Sequence, residues 1–183
     1  MKKKKTIKRA AKKTVKKTSP KPSRNADRGL REQLVYLLKG GGAHVHFMDA
    51  LDGFPAEQYG AFAERLPHTG WQLLEHARLA QKDIVDFSRN PKHVSPPFPS
   101  GYWPKTPAPP DRKAWDESVA AFQRDLLEMV HLVTNPRTDL FAKLPHGDGQ
   151  TILREALVLA DHNSYHLGQL VVLRRALGTW PET

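Results

Sequence analysis

The sequence predicts an all-α protein: a four-helix bundle with one long crossover loop and a basic N-terminal tail. Three observations carry that prediction. Four segments place apolar residues at helical spacing, no stretch alternates like a strand, and residues 91–111 form a proline-dense connection too long for a turn. No internal repeat is visible.

The tail comes first. Residues 1–24, "MKKKKTIKRAAKKTVKKTSPKPSR", hold 12 of the chain's 29 Lys and Arg and none of its 19 acidic residues, so the rest carries 17 basic against 19 acidic side chains, a net of −2. The whole-chain charge of +10 therefore belongs to the tail. Lysine repulsion and the scarcity of large apolar residues predict disorder over residues 1–25, with one domain over 26–183. A lysine-rich tail can bind nucleic acid through counterion release. It can equally be a solvated extension, which the absence of aromatic residues to stack on bases favours. Any nucleic-acid contact is expected through residues 1–24 only.

The first helical segment runs from about Arg28 to Leu51, with Leu30, Leu34, Leu37 and Leu38 on one face. Gly40, Gly41 and Gly42 interrupt it, at roughly 3 kcal/mol relative to alanine. They either break the helix or admit a close neighbour. The second begins after Thr69, where "TGWQ" has the form of a capping box, and ends before Pro91. Leu73, Leu74, Ala77, Ala80, Ile84 and Phe87 line it. The loop 91–111 carries Phe98, Tyr102 and Trp103, which predict that it packs over the bundle. The third segment spans about Asp111 to Thr134 and stops at Pro136. The fourth spans about Thr151 to Leu177, with Gly178 as the residue that ends it.

Two function classes are excluded early. The chain has no cysteine, so disulfides and thiolate metal sites are out, and any metal must use His, Asp or Glu. No run approaches the ~18 apolar residues that span a bilayer, and the basic N-terminus lacks the apolar core of a signal peptide. A cytoplasmic protein without membrane partners is expected.

Among the nine histidines, His162 and His166 stand out. Their i,i+4 spacing puts both rings on one face of the fourth segment, Cβ atoms ~6 Å apart, close enough to converge on one ion. They also lie mid-helix among apolar residues, where a buried imidazole needs a partner. A zinc protease would have Glu after the first His as its base; here Asn163 occupies that position. His76, beside Leu73, Ala77 and Ala80, supplies a third candidate ligand. Three imidazoles from two helices would leave coordination positions open, as catalytic metals do. His44 and His46 are further candidates, of which at most one points inward; His44 lies nearer the glycines. His68, His93 and His146 read as exposed loop residues, and His131 as a partly buried surface one. Asp161, Glu75, Asn163 and Tyr165 adjoin ligands in sequence but point elsewhere on the helix, as second-layer or surface groups. Arg154 and Glu155 read as an internal ion pair or an anion contact.

"GWQLLEHARLAQKDIVDF" followed by "LREALVLADHNSYHLGQLVVLRRALG" resembles the DinB/YfiT-like family of metalloenzymes, over roughly residues 28–183. "DHNSYHLGQL" is the most specific part. The resemblance implies an up-down-down-up four-helix bundle and a divalent metal, zinc or nickel, held by His76, His162 and His166. It implies, from characterised relatives, a thiol-dependent transferase or isomerase using a low-molecular-weight thiol. "GGGAHVHF" resembles one branch of the family, which would give His44 a role as ligand or substrate contact; a surface histidine beside a helix break is the competing reading. The expectation is a metal-dependent transferase or hydrolase acting on a small molecule. A non-catalytic metal-binding bundle and a nucleic-acid-associated protein are the alternatives. A homodimer is also expected, with the C-terminal segment around Trp180 as contact surface.

Overall fold

The computed structural model describes residues 23–40 and 42–181, and these are all-helical, with no strand among them. Residues 1–22 of the expected disordered tail and Gly41 lie outside the described residues; the rest of that expectation is corrected, because Ser23 caps α1 and Arg24 and Asn25 already belong to it. Five α-helices follow in order: α1 (Arg24–Lys39), α2 (Phe47–Leu51), α3 (Gly70–Arg89), α4 (Arg112–Thr134) and α5 (Ile152–Ala176). Four are long; α3 packs on α4 and α5, and α1 packs on the same two.

The first predicted helix is corrected. It breaks after Lys39, and α2 is a separate short piece that begins at Phe47. Gly40 and Gly42 take φ of +74° and +77°, values that suit glycine and few other residues. At Gly42 a Cβ would also fall onto the phenol of Tyr36. The glycines therefore turn the chain sharply where a helix would have continued.

The other helices begin as expected. Thr69 Oγ1 accepts from Gln72 N at 3.2 Å while Gln72 Oε1 accepts from Thr69 N at 3.1 Å, completing the capping box. The same Thr69 hydroxyl donates to Pro107 O at 2.5 Å, so the cap of α3 also pins the proline-rich loop. Asp111 and Thr151 cap α4 and α5. At the end of α5, Gly178 N bonds Arg175 O at 3.1 Å and Thr179 N bonds Arg174 O at 2.8 Å, with Gly178 at φ +68°. This is a Schellman termination. Gly178→Ala is expected to cost about 1 kcal/mol, read as a lower urea midpoint at unchanged slope.

The core has two halves. One gathers Phe47, Leu51, Phe54, Trp71, Leu74, Trp115, Phe122 and Leu170; the other gathers Leu34, Leu38, Val85, Met129, Val133 and Leu159. A polar layer runs between them. Buried Gln81 donates to Phe122 O at 2.6 Å and accepts from Asn163 Nδ2 at 2.9 Å. The Gln81 amide is thus bonded to both neighbouring helices, while the buried Asn163 Oδ1 has no partner among the described residues; the layer fixes the rotation of α5 beside His162. Trp180 is partly buried against the first half, under the guanidinium groups of Arg174 and Arg175.

The proline-rich loop does lie over the bundle. Asp83 on α3 accepts from Tyr102 Oη at 2.7 Å and pairs with His93 Nε2 at 2.6 Å. Burial and Asp83 push the Tyr102 phenol up to about 12. Phe98 is the exception: it is 87% exposed, because the anchoring falls to Tyr102 and Trp103.

Candidate metal centre

His76 on α3 meets His162 and His166 on α5. Their ligand atoms all lie within 4.8 Å of one another, and His76 Nε2 is 3.2 Å from His162 Nε2. Two nitrogens bound to one ion at about 2.0–2.1 Å, at angles between a right angle and the tetrahedral value, stand roughly 2.9–3.4 Å apart. The observed separation falls in that window.

Two of the rings are held in the tautomer a metal needs. His76 Nδ1 donates to Tyr102 O at 2.8 Å, and His166 Nδ1 donates to Gln169 Oε1 at 2.8 Å. Each leaves a bare Nε2 facing the cluster. Several lone pairs aimed at one point in a half-buried place repel one another unless a cation or a proton lies between them. This arrangement, ligating nitrogens converging while the far N–H groups are tied to oxygen, is how imidazoles are held around metals. The residues present fit a divalent ion.

The electrostatics agree. Burial, then the neighbouring His166 and His76, lower His162 to about 4. Burial and His76 lower His166 to about 4, and burial lowers His76. At neutral pH all three are neutral and ready to ligate. In the metal-free chain the ordinary imidazole value is near 6.5 when unfolded, so the unfolded state takes up protons first as pH falls. The contribution of His162 and His166 is intact above ~6.5 and is lost between ~6.5 and about 4. The urea midpoint of chelator-treated protein is therefore expected to drop between pH 7.5 and pH 5.

A π-stack covers one side. Trp103 of the proline-rich loop lies flat on His76, ring centres 3.9 Å apart and planes 4° apart, and His68 stacks on Trp103 at 4.2 Å. The Tyr165 ring sits edge-on to His166 at 4.9 Å. Beside these groups a groove of about 420 Å³ opens between α5 and residues 66–68, lined by Leu66, His68, Leu73, Tyr165, Gln169 and Val172.

The structure brings together His76, His162 and His166 of the candidates, and leaves His44 out. His44 is exposed, with Nδ1 on Val45 O at 2.8 Å, and His46 turns to Lys39 O at 3.0 Å; neither points into the core. Both stand instead by a separate cavity of about 280 Å³ that Asn163 and Leu167 also line. The expectation that His68, His93 and His146 are exposed is corrected. All three are half-buried: His68 against Trp103, His93 on Asp83, and His146 with Nε2 on Phe87 O at 2.7 Å. His131 is exposed. Glu75 is buried; although burial opposes it, hydrogen bonds from Arg78 and Ser118 keep it below its ordinary value. Glu155 pairs with Arg154 at 2.5 Å.

Sequence reasoning missed Tyr102, Trp103, His68 and Gln169. Gln169 was findable, since it follows His166 by three residues and so shares its face. Trp103 sends no such signal, because it reaches His76 from an irregular loop.

A family model described as the DinB superfamily matches residues 43–170, a span that includes all three histidines. No curated protein and no solved structure matches the chain.

Proposed function

This chain belongs to the DinB superfamily, and we propose that it is a divalent-metal-dependent enzyme acting on a small molecule as a thiol-dependent transferase or a hydrolase. The observation that supports the reading most is the convergence of His76, His162 and His166 with two of their far nitrogens tied to oxygen acceptors. Zinc or nickel is the ion, and the up-down-down-up helix order of the family goes with the reading. When bound, the ion supplies a Lewis acid that brings a coordinated water or thiol toward neutral pKa.

The chain's own residues do the rest. His76 and His162 come from facing helices, so the spacing of α3 and α5 sets the ligand geometry. Gln169 and the Tyr102 carbonyl orient His166 and His76. Trp103 keeps bulk water from one face of His76. The groove beside Gln169 takes the apolar body of the substrate, with His68 and Tyr165 at its walls. With no cysteine in the chain, a thiolate nucleophile comes from a small co-substrate. His44 has no part in holding the ion.

Metal-reconstituted protein assayed for thiol conjugation and for ester or amide hydrolysis, with and without a low-molecular-weight thiol, tests the reading. Turnover that a chelator abolishes and added metal restores is the expected result. Binding of metal with no turnover across both reaction classes would leave a non-catalytic metal-binding bundle. Gln169→Leu is expected to weaken metal affinity about 10–100-fold, measured by competition with a chromogenic chelator. Unchanged affinity would remove Gln169 from the site.

A further inference from the structure

The buried amides of Gln81 and Asn163 form a chain whose direction is fixed. The Phe122 carbonyl can only accept, so Gln81 Nε2 donates to it, at 2.6 Å. Gln81 Oε1 is then the acceptor for Asn163 Nδ2, at 2.9 Å. The open end of the chain is therefore Asn163 Oδ1, an acceptor, which is buried and has no partner among the described residues. A buried acceptor left unmet is unfavourable. Asn163 lines a cavity of about 280 Å³ where the end of α1 and the start of α2 meet α4 and α5. The walls are apolar: Leu38, Phe47, Phe122, Leu126 and Leu167. No lining residue is shared with the groove beside the metal ligands. The face of α5 that the cavity meets, Ala160, Asn163, Ser164 and Leu167, is centred about a third of a turn from the face of His162 and His166.

We infer that this cavity is a second small-molecule site, whose ligand is a neutral compound with an aliphatic body and a hydroxyl head that donates to Asn163 Oδ1. The donors on the α5 side are already spent. The Asn163 amide N–H is on Gln81, and the Ser164 hydroxyl donates to Ala160 O at 2.8 Å. A head that can only accept, such as an ether or a carboxylate, therefore finds no donor there. An ammonium head would bury a charge without a counter-ion. The rim agrees. His44 and His46 stand against Gly40, where a Cβ would lie 3.8 Å from His44 Cε1 and 3.9 Å from His46 Nδ1. The Val45 and Lys39 carbonyls accept from their Nδ1 atoms at 2.8 and 3.0 Å, which leaves each Nε2 a bare acceptor. Lys39 and Asp49 put one charge of each sign beside them, so the rim favours neither a cation nor an anion. Apolar walls with a few placed polar groups are the usual composition of a ligand pocket. The inference does not depend on the metal reading.

Titration of the full chain with hexan-1-ol, with its isomer 1-methoxypentane and with hexanoate, followed by NMR, tests the inference. The alcohol is expected to bind saturably and about tenfold or more tighter than the ether, which differs in lacking the donor. Hexanoate is expected to bind more weakly than the alcohol. Ser164→Leu fills the cavity from a half-buried position on α5. It is expected to weaken the alcohol at least tenfold while the metal content stays that of the wild type. Asn163→Val is expected to erase the preference for alcohol over ether; where that variant does not fold, the comparison of the two isomers on the wild type decides. Equal binding of the isomers overturns the inference. So does tighter binding of hexanoate, binding indifferent to Ser164→Leu, or no saturable binding of the alcohol up to its solubility.

Discussion

The His162→Ala/His166→Ala double variant is expected to purify without metal, beside a wild-type chain that carries about one equivalent of a divalent ion. With both α5 ligands gone, His76 is left as a single imidazole, and one imidazole does not retain a divalent ion against buffer. Elemental mass spectrometry reads the loss directly. A thermal melt gives an independent reading, because a ligand that binds only the folded state raises its stability in proportion to the logarithm of its concentration. Added zinc or nickel should raise the midpoint of the wild type and leave the variant where it is. The variant also lacks the two groups that burial lowers to about 4, so the acid loss of stability between pH ~6.5 and 4 should shrink with them. Metal retained by the variant, or a wild type that takes none after reconstitution, would end the proposal. The cluster would then be a polar patch in the bundle core.

The helices and the clustered histidine trio were legible in the sequence because both rest on short-range rules. The i,i+4 relation of His162 and His166, the capping box at Thr69 and Gln72, and the glycine after Leu177 are each set by backbone geometry within a turn or two. His76 was legible for a similar reason: it adjoins the apolar face of its own helix. The break at Gly40 was visible as a weak point, but its outcome was not. What decides it is Tyr36, whose ring occupies the space a side chain at Gly42 would need, a contact with no pattern in the sequence. Loop histidines were misread for the same cause. His93 and His146 leave solvent because Asp83 and the Phe87 carbonyl accept from them, and those partners belong to α3. The stack of His68, Trp103 and His76 joins three stretches that only the closed loop brings together. Long-range placement of irregular chain is the part that periodicity cannot supply.

Arg174 was missed most completely, and its removal is expected to be among the most destabilising single changes in the protein. A basic residue in the last turn of a helix normally reaches outward, past the final carbonyls. Arg174 is instead 1% exposed, and burial lowers its pKa. Its guanidinium donates to Ala50 O at 3.0 Å, Asp52 O at 2.7 Å, Gly53 O at 3.2 Å and Thr179 O at 2.5 Å. It thereby joins the end of α2 to the end of α5, over the ring of Phe54 at 5.1 Å. Methionine at this position would fill the aliphatic volume and satisfy none of the four carbonyls. Leaving a buried polar group unpaired costs about 1–3 kcal/mol, so Arg174→Met is expected to lose on the order of 3–4 kcal/mol even if water reaches some of the carbonyls. In a chain of this length that corresponds to a fall of about 10 °C in melting temperature. Lysine is not a substitute, because a single ammonium has three donors and no planar fork to span four acceptors on two segments. Arg174→Lys should recover only part of the loss. Urea unfolding of the two variants against wild type checks the order. A cost below about 1 kcal/mol for Arg174→Met would mean that the carbonyls are met by solvent and that the arginine is a passenger of the helix end.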